Sequence, residues 1–343
     1  MYFEGMTTLV TSTEFLDPSK KEAILVTGGV GFIGSHLVER ALEAGQRVVI
    51  LDNFDPFYSE AIKRQNFETL KKKDSTGSLL TLITGDIREL PIPALEKAGP
   101  YRGVIHLAAR PGVRPSIEDP KSYTEINVTG TVNLLEFARR AGIRHFIFGS
   151  SSSVYGNHPK VPFTETMDVN EPISPYAATK RAGELLSHTF HHLYRLNVIC
   201  LRFFTVYGPR QRPDLAIHKF VRLIDEGKPI TMFGDGETER DYTYVADIIQ
   251  GVVAAWNFSL RSKEPVYEIV NLGESQTISL KQMISEIESA IGKKAEIKRE
   301  PMQPGDVNRT FADISKAKSL LGYAPRYPFQ KGIENFVEWY RGL

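Results

Sequence analysis

Short apolar runs alternate with longer amphipathic segments between residues 23 and 203 of this 343-residue sequence. Such alternation predicts an α/β protein, in which a doubly wound parallel sheet is covered by helices on both faces. The predicted strands are residues 23–27, 47–52, 79–84, 103–108, 145–150 and 197–203. The predicted helices among them are residues 33–44, 123–141 and 176–194.

The pattern changes after Phe203, where a stretch rich in Pro, Gly and Arg indicates an ordered loop. A helix at 245–258 and a strand at 267–272 are expected to return to the main sheet. We therefore expect an N-terminal extension at 1–20 and a main domain at 21–203 plus about 243–272. A smaller C-terminal α/β domain for the substrate is expected at about 204–242 and 273–343.

Charge and cysteine content exclude several classes of protein. The 42 Lys and Arg residues balance 41 Asp and Glu residues, which leaves a net charge of +1 and predicts no nucleic-acid or membrane partner. Cys200 is the only cysteine, so neither an internal disulfide nor a thiolate metal cluster can form. No apolar run approaches eighteen residues, and no signal peptide is evident. The sequence thus predicts a soluble, cytoplasmic protein.

A glycine-rich turn follows the first predicted strand and opens the first predicted helix. Gly28, Gly31 and Gly34 form a G-x-x-G-x-x-G loop, whose residues Phe32 and Ile33 begin the helix. Such a loop lets backbone N–H groups approach a pyrophosphate without an intervening Cβ. The alternative is an ordinary tight turn, but the strand–loop–helix context favours a dinucleotide-binding Rossmann domain.

Acidic and small residues at the ends of the next strands extend this prediction. Asp52 stands 18 residues after Gly34, where a carboxylate can accept hydrogen bonds from a ribose and would repel a 2′-phosphate, so NAD is expected rather than NADP. Asp86 is a candidate for adenine contact, and Ala108 leaves room for the cofactor. We interpret His106 as a packed core histidine. The predicted contacts beyond the glycine loop are Asp52, Asn53, Asp86, Ile87, Leu107, Ala108, Ala109, Asn127, Tyr176, Lys180 and Phe203.

Tyr176 and Lys180 are spaced i, i+4, which places a phenol and an amine on one face of a helix. A neighbouring ammonium stabilises a phenolate, so the pair is a candidate for acid–base catalysis. Ser151 lies 25 residues earlier, just past a predicted strand on the same side of the sheet. Tyr327 and Lys331 share the spacing, but the intervening Pro328 disfavours a continuous helix, and we attribute that pair to chance.

Together these motifs resemble the extended short-chain dehydrogenase/reductase family and, within it, the nucleotide-sugar 4-epimerases. The resemblance spans about residues 22–341. It rests on the glycine loop, Asp86-Ile87, the S-S-S-S-V-Y-G stretch at 150–156, the Tyr176/Lys180 pair, L-R-F-F-T-V-Y-G-P at 201–209 and R-D-Y at 240–242. The resemblance implies that Tyr176 is the acid/base, that Ser151 holds the reacting hydroxyl and that Lys180 bonds the nicotinamide ribose. It also implies a homodimer joined through the helices at 123–141 and 176–194.

Epimerases, 4,6-dehydratases and decarboxylases share this scaffold, and side chains after the catalytic serine distinguish them. Dehydratases similar to this chain carry an Asp-Glu pair there, and decarboxylases carry a Glu. Here Ser152 and Ser153 follow Ser151, so the acid and base for elimination are missing. The sequence therefore predicts epimerisation through a transient 4-keto sugar.

The sugar is predicted from two stretches that are most similar to UDP-glucuronate 4-epimerases. Thr205 and Gln303 stand where enzymes for glucose-type sugars usually carry Asn and Arg. Hydroxyls of Ser152, Ser153 and Thr205 are candidates to hold the sugar carboxylate, although a hydroxyl-rich turn is the alternative for the serines. The other predicted substrate residues are Arg212 and Arg240, which suit the diphosphate, with Arg114 and Asp306.

Other functions remain open at this stage. They are 4-epimerisation of UDP-glucose or UDP-N-acetylglucosamine, decarboxylation of UDP-glucuronate, and a non-catalytic NAD-binding regulator, which would not need Ser151, Tyr176 and Lys180 together. His188 and His192 have the i, i+4 spacing of a metal pair, but no third ligand is evident. We interpret them as exposed helical histidines and predict no metal.

Overall fold

The computed structural model describes residues 15, 21–301 and 309–343. The substrate candidates Gln303 and Asp306 and, apart from Phe15, the predicted extension at 1–20 lie outside the described residues. The strands are β1 Ala23–Thr27, β2 Val48–Asp52, β3 Leu80–Thr84, β4 Tyr101–His106, β5 His145–Ser151, β6 Asn197–Phe203, β7 Thr205–Tyr207, β8 Ile230–Phe233, β9 Glu239–Tyr244, β10 Tyr267–Leu272, β11 Thr277–Ser279 and β12 Ile297–Glu300. The helices are α1 Phe32–Glu43, α2 Glu60–Lys73, α3 Ile92–Ala98, α4 Val113–Glu118, α5 Pro120–Thr124, α6 Gly130–Arg140, α7 Pro175–Tyr194, α8 Ala216–Asp225, α9 Val245–Arg261, α10 Leu280–Ile291, α11 Ser315–Leu321 and α12 Phe329–Arg341.

The main sheet has seven strands in the order β10-β6-β5-β4-β1-β2-β3, and all its pairings are parallel. All five residues of β1 and all five of β2 are buried, because helices cover both faces of the sheet. The predicted doubly wound α/β fold is confirmed. Strand order reverses between β1 and β4, and the carboxyl ends of these neighbours form the crevice where such sheets bind ligands.

Two smaller sheets lie beyond this crevice. One has the order β11-β9-β7 and the other pairs β12 with β8. From β9 the chain runs directly into α9, which packs on β5 and β6, and β10 then joins the edge of the main sheet. This is the return to the main sheet that the sequence predicts, whereas the domain boundaries themselves stay a prediction.

Some predicted elements differ in detail. The strand predicted to reach residue 108 ends at His106, which leaves Leu107 and Ala108 in the crevice. The helix predicted at 123–141 begins earlier, as α5, and joins α6 through a π-helical turn at Glu125–Thr129. Strands β7 and β11 have three residues each, too few to give a clear periodic signal. Strand β9 has six residues, but its sequence E-R-D-Y-T-Y is largely polar and so predicted no buried strand.

Candidate active site

A cavity of about 490 Å³ opens at the carboxyl ends of the central strands. Most of the predicted site residues contribute to its wall, from both the cofactor and the catalytic groups. They are Gly28, Gly31, Phe32, Ile33, Gly34, Asp52, Asn53, Asp86, Ile87, Leu107, Ala108, Ala109, Ser151, Ser153, Tyr176, Lys180, Phe203, Thr205 and Arg212.

The glycine loop leaves no room for side chains. Gly28 has a φ of +72°, and a Cβ there would lie 2.8 Å from the backbone nitrogen of Ala108. A Cβ on Gly34 would lie 2.1 Å from the carbonyl oxygen of Gly28. The loop therefore packs backbone against backbone and exposes the first N–H groups of α1 to the cavity, as a pyrophosphate site requires.

Asp52 lies at the end of β2 and lines the cavity. Its Oδ1 accepts from the backbone N–H of Phe54 at 2.9 Å and its Oδ2 from that of Val30 at 3.3 Å. Burial raises the pKa of this carboxyl above its ordinary value, and these two bonds oppose the rise. The carboxylate is thus held rigidly with acceptor capacity remaining, which suits hydroxyl groups of a ribose.

Asn53 and Asp86 form one edge of the same cavity. The Asn53 amide donates to Asp86 Oδ2 at 2.9 Å, and the Arg88 guanidinium donates to both oxygens of Asp86. These bonds, that of Arg88 first, hold the pKa of Asp86 below its ordinary value. Asp86 is thus a fixed acceptor at this edge.

His106 is a core residue, as the sequence predicts. Its Nδ1 lies 2.7 Å from Thr27 Oγ1 and its Nε2 lies 3.0 Å from Thr131 Oγ1. Burial lowers its pKa to about 3, so the ring is neutral. Thr27 Oγ1 in turn accepts from the Ala108 N–H at 3.2 Å, and His106 therefore helps to fix the backbone that faces Gly28.

Tyr176, Lys180 and Ser151 converge at the centre of the cavity. Ser174 caps the N-terminus of α7, so Tyr176 lies in the first turn and Lys180 one turn later. The Lys180 ammonium lies 5.9 Å from the centroid of the Tyr176 ring and donates to the Gly149 carbonyl oxygen at 2.7 Å. Burial raises the pKa of Tyr176 above its ordinary value, whereas a hydrogen bond with Ser151 lowers it. Burial lowers the pKa of Lys180 to about 8, so its ammonium form dominates at pH 7.

A buried ion pair beneath Lys180 was not predicted from the sequence. Glu184 lies one further turn along α7, and its carboxylate accepts two bonds of 2.8 Å from Arg202 on β6. Ser150 donates to the same carboxylate at 2.7 Å. The Glu184 charge raises the pKa of Lys180 and so opposes the effect of burial.

The cavity wall also carries the hydroxyls of Ser151, Ser153 and Thr205 and the guanidinium of Arg212. Ser151 caps a short 3₁₀ turn by accepting from the Ser153 N–H at 3.1 Å, and the two hydroxyls are also 3.1 Å apart. Thr205 follows β6 and lines the same wall, as does Arg212. Arg212 is held by a bond of 2.9 Å to Asp214.

Four predicted residues do not line the cavity. Ser152 is half-buried in the 3₁₀ turn, Arg114 stacks over Phe233 at 5.2 Å from its centroid, and Arg240 donates to the Glu239 carbonyl oxygen. Asn127 is buried and donates to Thr179 Oγ1 and to the Arg110 carbonyl oxygen, so it supports the wall from behind. Direct contact of these residues with cofactor or substrate stays a prediction.

The wall also contains residues that the sequence analysis missed. Phe57 lies between two guanidinium groups, 6.0 Å from Arg110 and 5.5 Å from Arg212. Tyr58 and Lys63 lie near Asp52. All follow β2 in a segment without a recognisable motif, so only their position after a central strand could have indicated them.

Within residues 15, 21–301 and 309–343, no helix is long and apolar enough to cross a membrane. The same residues contain no group of three or more His, Cys, Asp or Glu side chains placed to hold a metal ion.

Comparison with known proteins places this arrangement in context. Residues 25–336 match the profile of the family described as GDP-mannose 4,6 dehydratase. Over 318 residues the chain is 42% identical to a UDP-glucuronate 4-epimerase of Thermodesulfobacterium geofontis. This alignment covers 92% of the present chain and 95% of the relative.

Solved structures give the same result. The chain resembles the UDP-glucuronic acid 4-epimerase of Bacillus cereus in complex with UDP-glucuronic acid and NAD, with a TM-score of 0.85 and 37% identity over 93% of this chain and 99% of that one. It also resembles the UDP-glucose 4-epimerase of Thermotoga maritima with UDP-glucose, with a TM-score of 0.82 and 30% identity over 93% and 99% of the two chains. Both similarities extend over nearly the whole chain.

Proposed function

The chain belongs to the extended short-chain dehydrogenase/reductase family of nucleotide-sugar epimerases, and on this basis we propose that it interconverts UDP-glucuronate and UDP-galacturonate. The reaction is an NAD-dependent epimerisation at C4 through a transient 4-keto sugar. The enzyme is therefore an isomerase, with NAD as a cofactor that is regenerated in every turnover.

One observation carries this proposal: Tyr176, Lys180 and Ser151 line the same cavity as the glycine loop, and the two residues directly after Ser151 are serines rather than carboxylic acids. The loop fits NAD because its backbone N–H groups are exposed where any Cβ would clash. The hydroxyls after Ser151 supply neither the acid nor the base that loss of water requires. Reversible oxidation at C4 is the chemistry that the cavity supports.

Tyr176 takes the proton from the C4 hydroxyl and later returns it. Ser151 shares a hydrogen bond with the phenol and orients the reacting hydroxyl. The Lys180 ammonium stabilises the phenolate electrostatically. NAD, when bound, supplies the hydride acceptor and donor.

Ser153 and Thr205 are the hydroxyls that we assign to the C6 carboxylate. Both line the cavity on the side of Ser151. Hydroxyl donors to a carboxylate form charge-assisted hydrogen bonds, and a hydroxymethyl group in the same place would leave these half-buried hydroxyls poorly paired. The site should therefore discriminate in favour of the uronate.

Arg212 is our candidate for the diphosphate. Its guanidinium lines the cavity with only 16% of its side chain exposed. A guanidinium presents several donors to phosphate oxygens in a fixed geometry. We therefore assign it to the nucleotide end of the substrate.

We also propose a homodimer and a cytoplasmic location. Leu185 and Leu193 on α7 are 53% and 59% exposed, and α7 packs beside α5 and α6, which agrees with pairing through these helices. Light scattering of the wild type and Leu185→Asp tests the dimer, since the variant should be monomeric. The free, buried thiol of Cys200 agrees with a reducing compartment.

The experiment that tests substrate choice is a competition between equal concentrations of UDP-glucuronate and UDP-glucose, with kcat/KM measured for each. We expect a clear preference for the uronate. Preference for the neutral sugar would refute the uronate proposal and leave a general UDP-hexose 4-epimerase, the activity named for the Thermotoga maritima structure.

A further inference from the structure

Residues 208–214 form a loop that contacts both the cavity and helix α1, which follows the glycine loop. Arg212 from this loop lines the cavity, whereas Pro209 and Arg210 contact the outer part of α1. The loop turns sharply at Gly208, and the Gln211 N–H donates to the Gly208 carbonyl oxygen at 3.1 Å. The contacts of Pro209 and Arg210 with α1 therefore help to set the position of Arg212 in the cavity wall.

Two side chains of α1 fasten the loop. His36 Nε2 lies 2.8 Å from the Pro209 carbonyl oxygen, and Arg210 Nη2 lies 2.6 Å from Glu39 Oε2. Burial lowers the pKa of His36 to about 4, so its ring is neutral at pH 7, and Nε2 must carry the proton because a carbonyl oxygen only accepts. His36 and Glu39 follow the glycine loop directly along α1 and do not line the cavity.

Arg210 makes this attachment from a strained backbone conformation. Its φ is +63°, in the left-handed region where glycine would be the unstrained residue. The side chains of Arg210 and Glu39 are only 13% and 19% exposed, so the ion pair is largely shielded from water. A glycine would relieve the backbone strain but would remove the ion pair.

We propose that His36 and Glu39 are positioning residues for the nucleotide diphosphate: through Pro209 and Arg210 they hold the loop so that Arg212 faces the cavity before substrate binds. This inference rests on the proposed function for the role of Arg212. In this proposal α1 contributes both to the pyrophosphate site at its N-terminus and, through His36 and Glu39, to the position of Arg212 at the substrate end of the cavity.

Loss of the contacts from His36 and Glu39 should weaken the binding of the nucleotide. Without the attachment the loop samples other conformations, and a bound nucleotide must then restore the order at the expense of its own affinity. Tyr176 and Lys180 lie on α7, outside this attachment, and the charge of Arg212 is the smaller of the two influences that lower the pKa of Tyr176. KM should therefore rise by more than kcat falls, as expected when most of the lost binding is common to ground and transition states.

The test compares two glutamates one turn apart. Glu39 and Glu43 bind the same lysine, Lys73, at 3.0 and 2.9 Å, but Arg210 pairs with Glu39. Glu39→Gln should weaken UDP binding, measured by calorimetry on NAD-loaded protein, by about tenfold, and should raise KM by a similar factor. Glu43→Gln should match the wild type in both, with NAD content unchanged in either variant.

A second comparison separates positioning from loss of packing. His36→Ala should weaken UDP binding, whereas His36→Gln, which keeps an N–H donor at a similar reach, should restore most of it. Equal UDP affinity for Glu39→Gln and Glu43→Gln, or no rescue by His36→Gln, would overturn the proposal. Because UDP binding needs no turnover, this result is independent of the proposed function, which fails separately if the wild type does not convert UDP-glucuronate.

Discussion

Replacing Gly34 by Ala should abolish retention of NAD. The new Cβ would lie 2.1 Å from the Gly28 carbonyl oxygen and 2.9 Å from both the Gly28 carbonyl carbon and the Gly29 Cα. All three atoms belong to the backbone, and an ordinary contact begins at 3.4 Å, so the shortfall is about 1.3 Å. The loop must therefore open by about 1 Å to accept one methyl group.

The loop cannot retreat without further cost. Gly28 already packs against the backbone of Ala108, as its own Cβ would lie 2.8 Å from that nitrogen. A displacement of this size breaks hydrogen bonds to the pyrophosphate, and each bond to a charged group contributes about 1.5–3 kcal/mol. Loss of two such bonds weakens NAD binding by roughly 10²- to 10⁴-fold.

The assay is the NAD content of the purified protein, followed by calorimetric titration of NAD into stripped protein. Gly45→Ala is the matched control, because Gly45 follows the same helix with a φ of +73° and has nothing within 4 Å of its Cβ. It should lose about 1 kcal/mol of stability from backbone strain and keep its NAD. If Gly34→Ala binds NAD with wild-type affinity, the assignment of this loop to the pyrophosphate is wrong.

Three further outcomes follow from the site and from one half-buried acid, Glu274. Tyr176→Phe should lower kcat by about 10²- to 10⁴-fold while UDP binding persists, and Ser151→Ala should lower kcat by less. Steady-state rates measure kcat and calorimetry measures UDP binding. A wild-type kcat for Tyr176→Phe would reject the assignment of Tyr176 as the acid/base. Thr205→Val should lower kcat/KM for UDP-glucuronate about 10- to 100-fold, should lower kcat/KM for UDP-glucose by less, and should release some UDP-pentose. Chromatography of the nucleotide sugars measures all three products. An equal loss of kcat/KM for both sugars would count against a contact between Thr205 and the carboxylate. Burial and the charges of Asp247 and Asp241 raise the pKa of Glu274 to about 8, above the value of 4.5 in the unfolded chain. The contribution of protonated Glu274 to folding stability is therefore fully present below about pH 4.5 and is lost as the pH rises through 8. Glu274→Gln should therefore raise Tm relative to wild type near pH 9 and not near pH 4; a pH-independent difference in Tm would refute this.

Local patterns in the sequence predicted the cofactor half of the site. Four buried apolar residues and the buried Thr27 before Gly28, the glycine spacing, and Asp52 at the next strand end are all contained in short windows. The Tyr176/Lys180 pair is equally local, since the helical repeat alone brings the two side chains to one face. Each of these residues lies where its pattern predicted.

Contacts between distant segments were not predictable in this way. The Glu184–Arg202 pair joins a helix to a strand. Glu184 belongs to no motif, and the stretch at 201–209 that contains Arg202 does not indicate which residue it pairs with. The attachment of Arg210 to Glu39 spans 171 residues of sequence. The two serines after Ser151 also looked equivalent, yet the 3₁₀ turn places Ser153 in the cavity wall and Ser152 outside it. Tertiary packing decides such features, and periodicity carries no information about them.

The most direct test of the central claim is NMR of the purified, NAD-loaded protein with UDP-glucuronate in D₂O. The account predicts UDP-galacturonate that retains protium at C4, because the hydride removed from the sugar returns to the same carbon. It also predicts no accumulation of NADH and little UDP-pentose. Deuterium at C4, or UDP-pentose as the main product, would contradict epimerisation by reversible oxidation at this site.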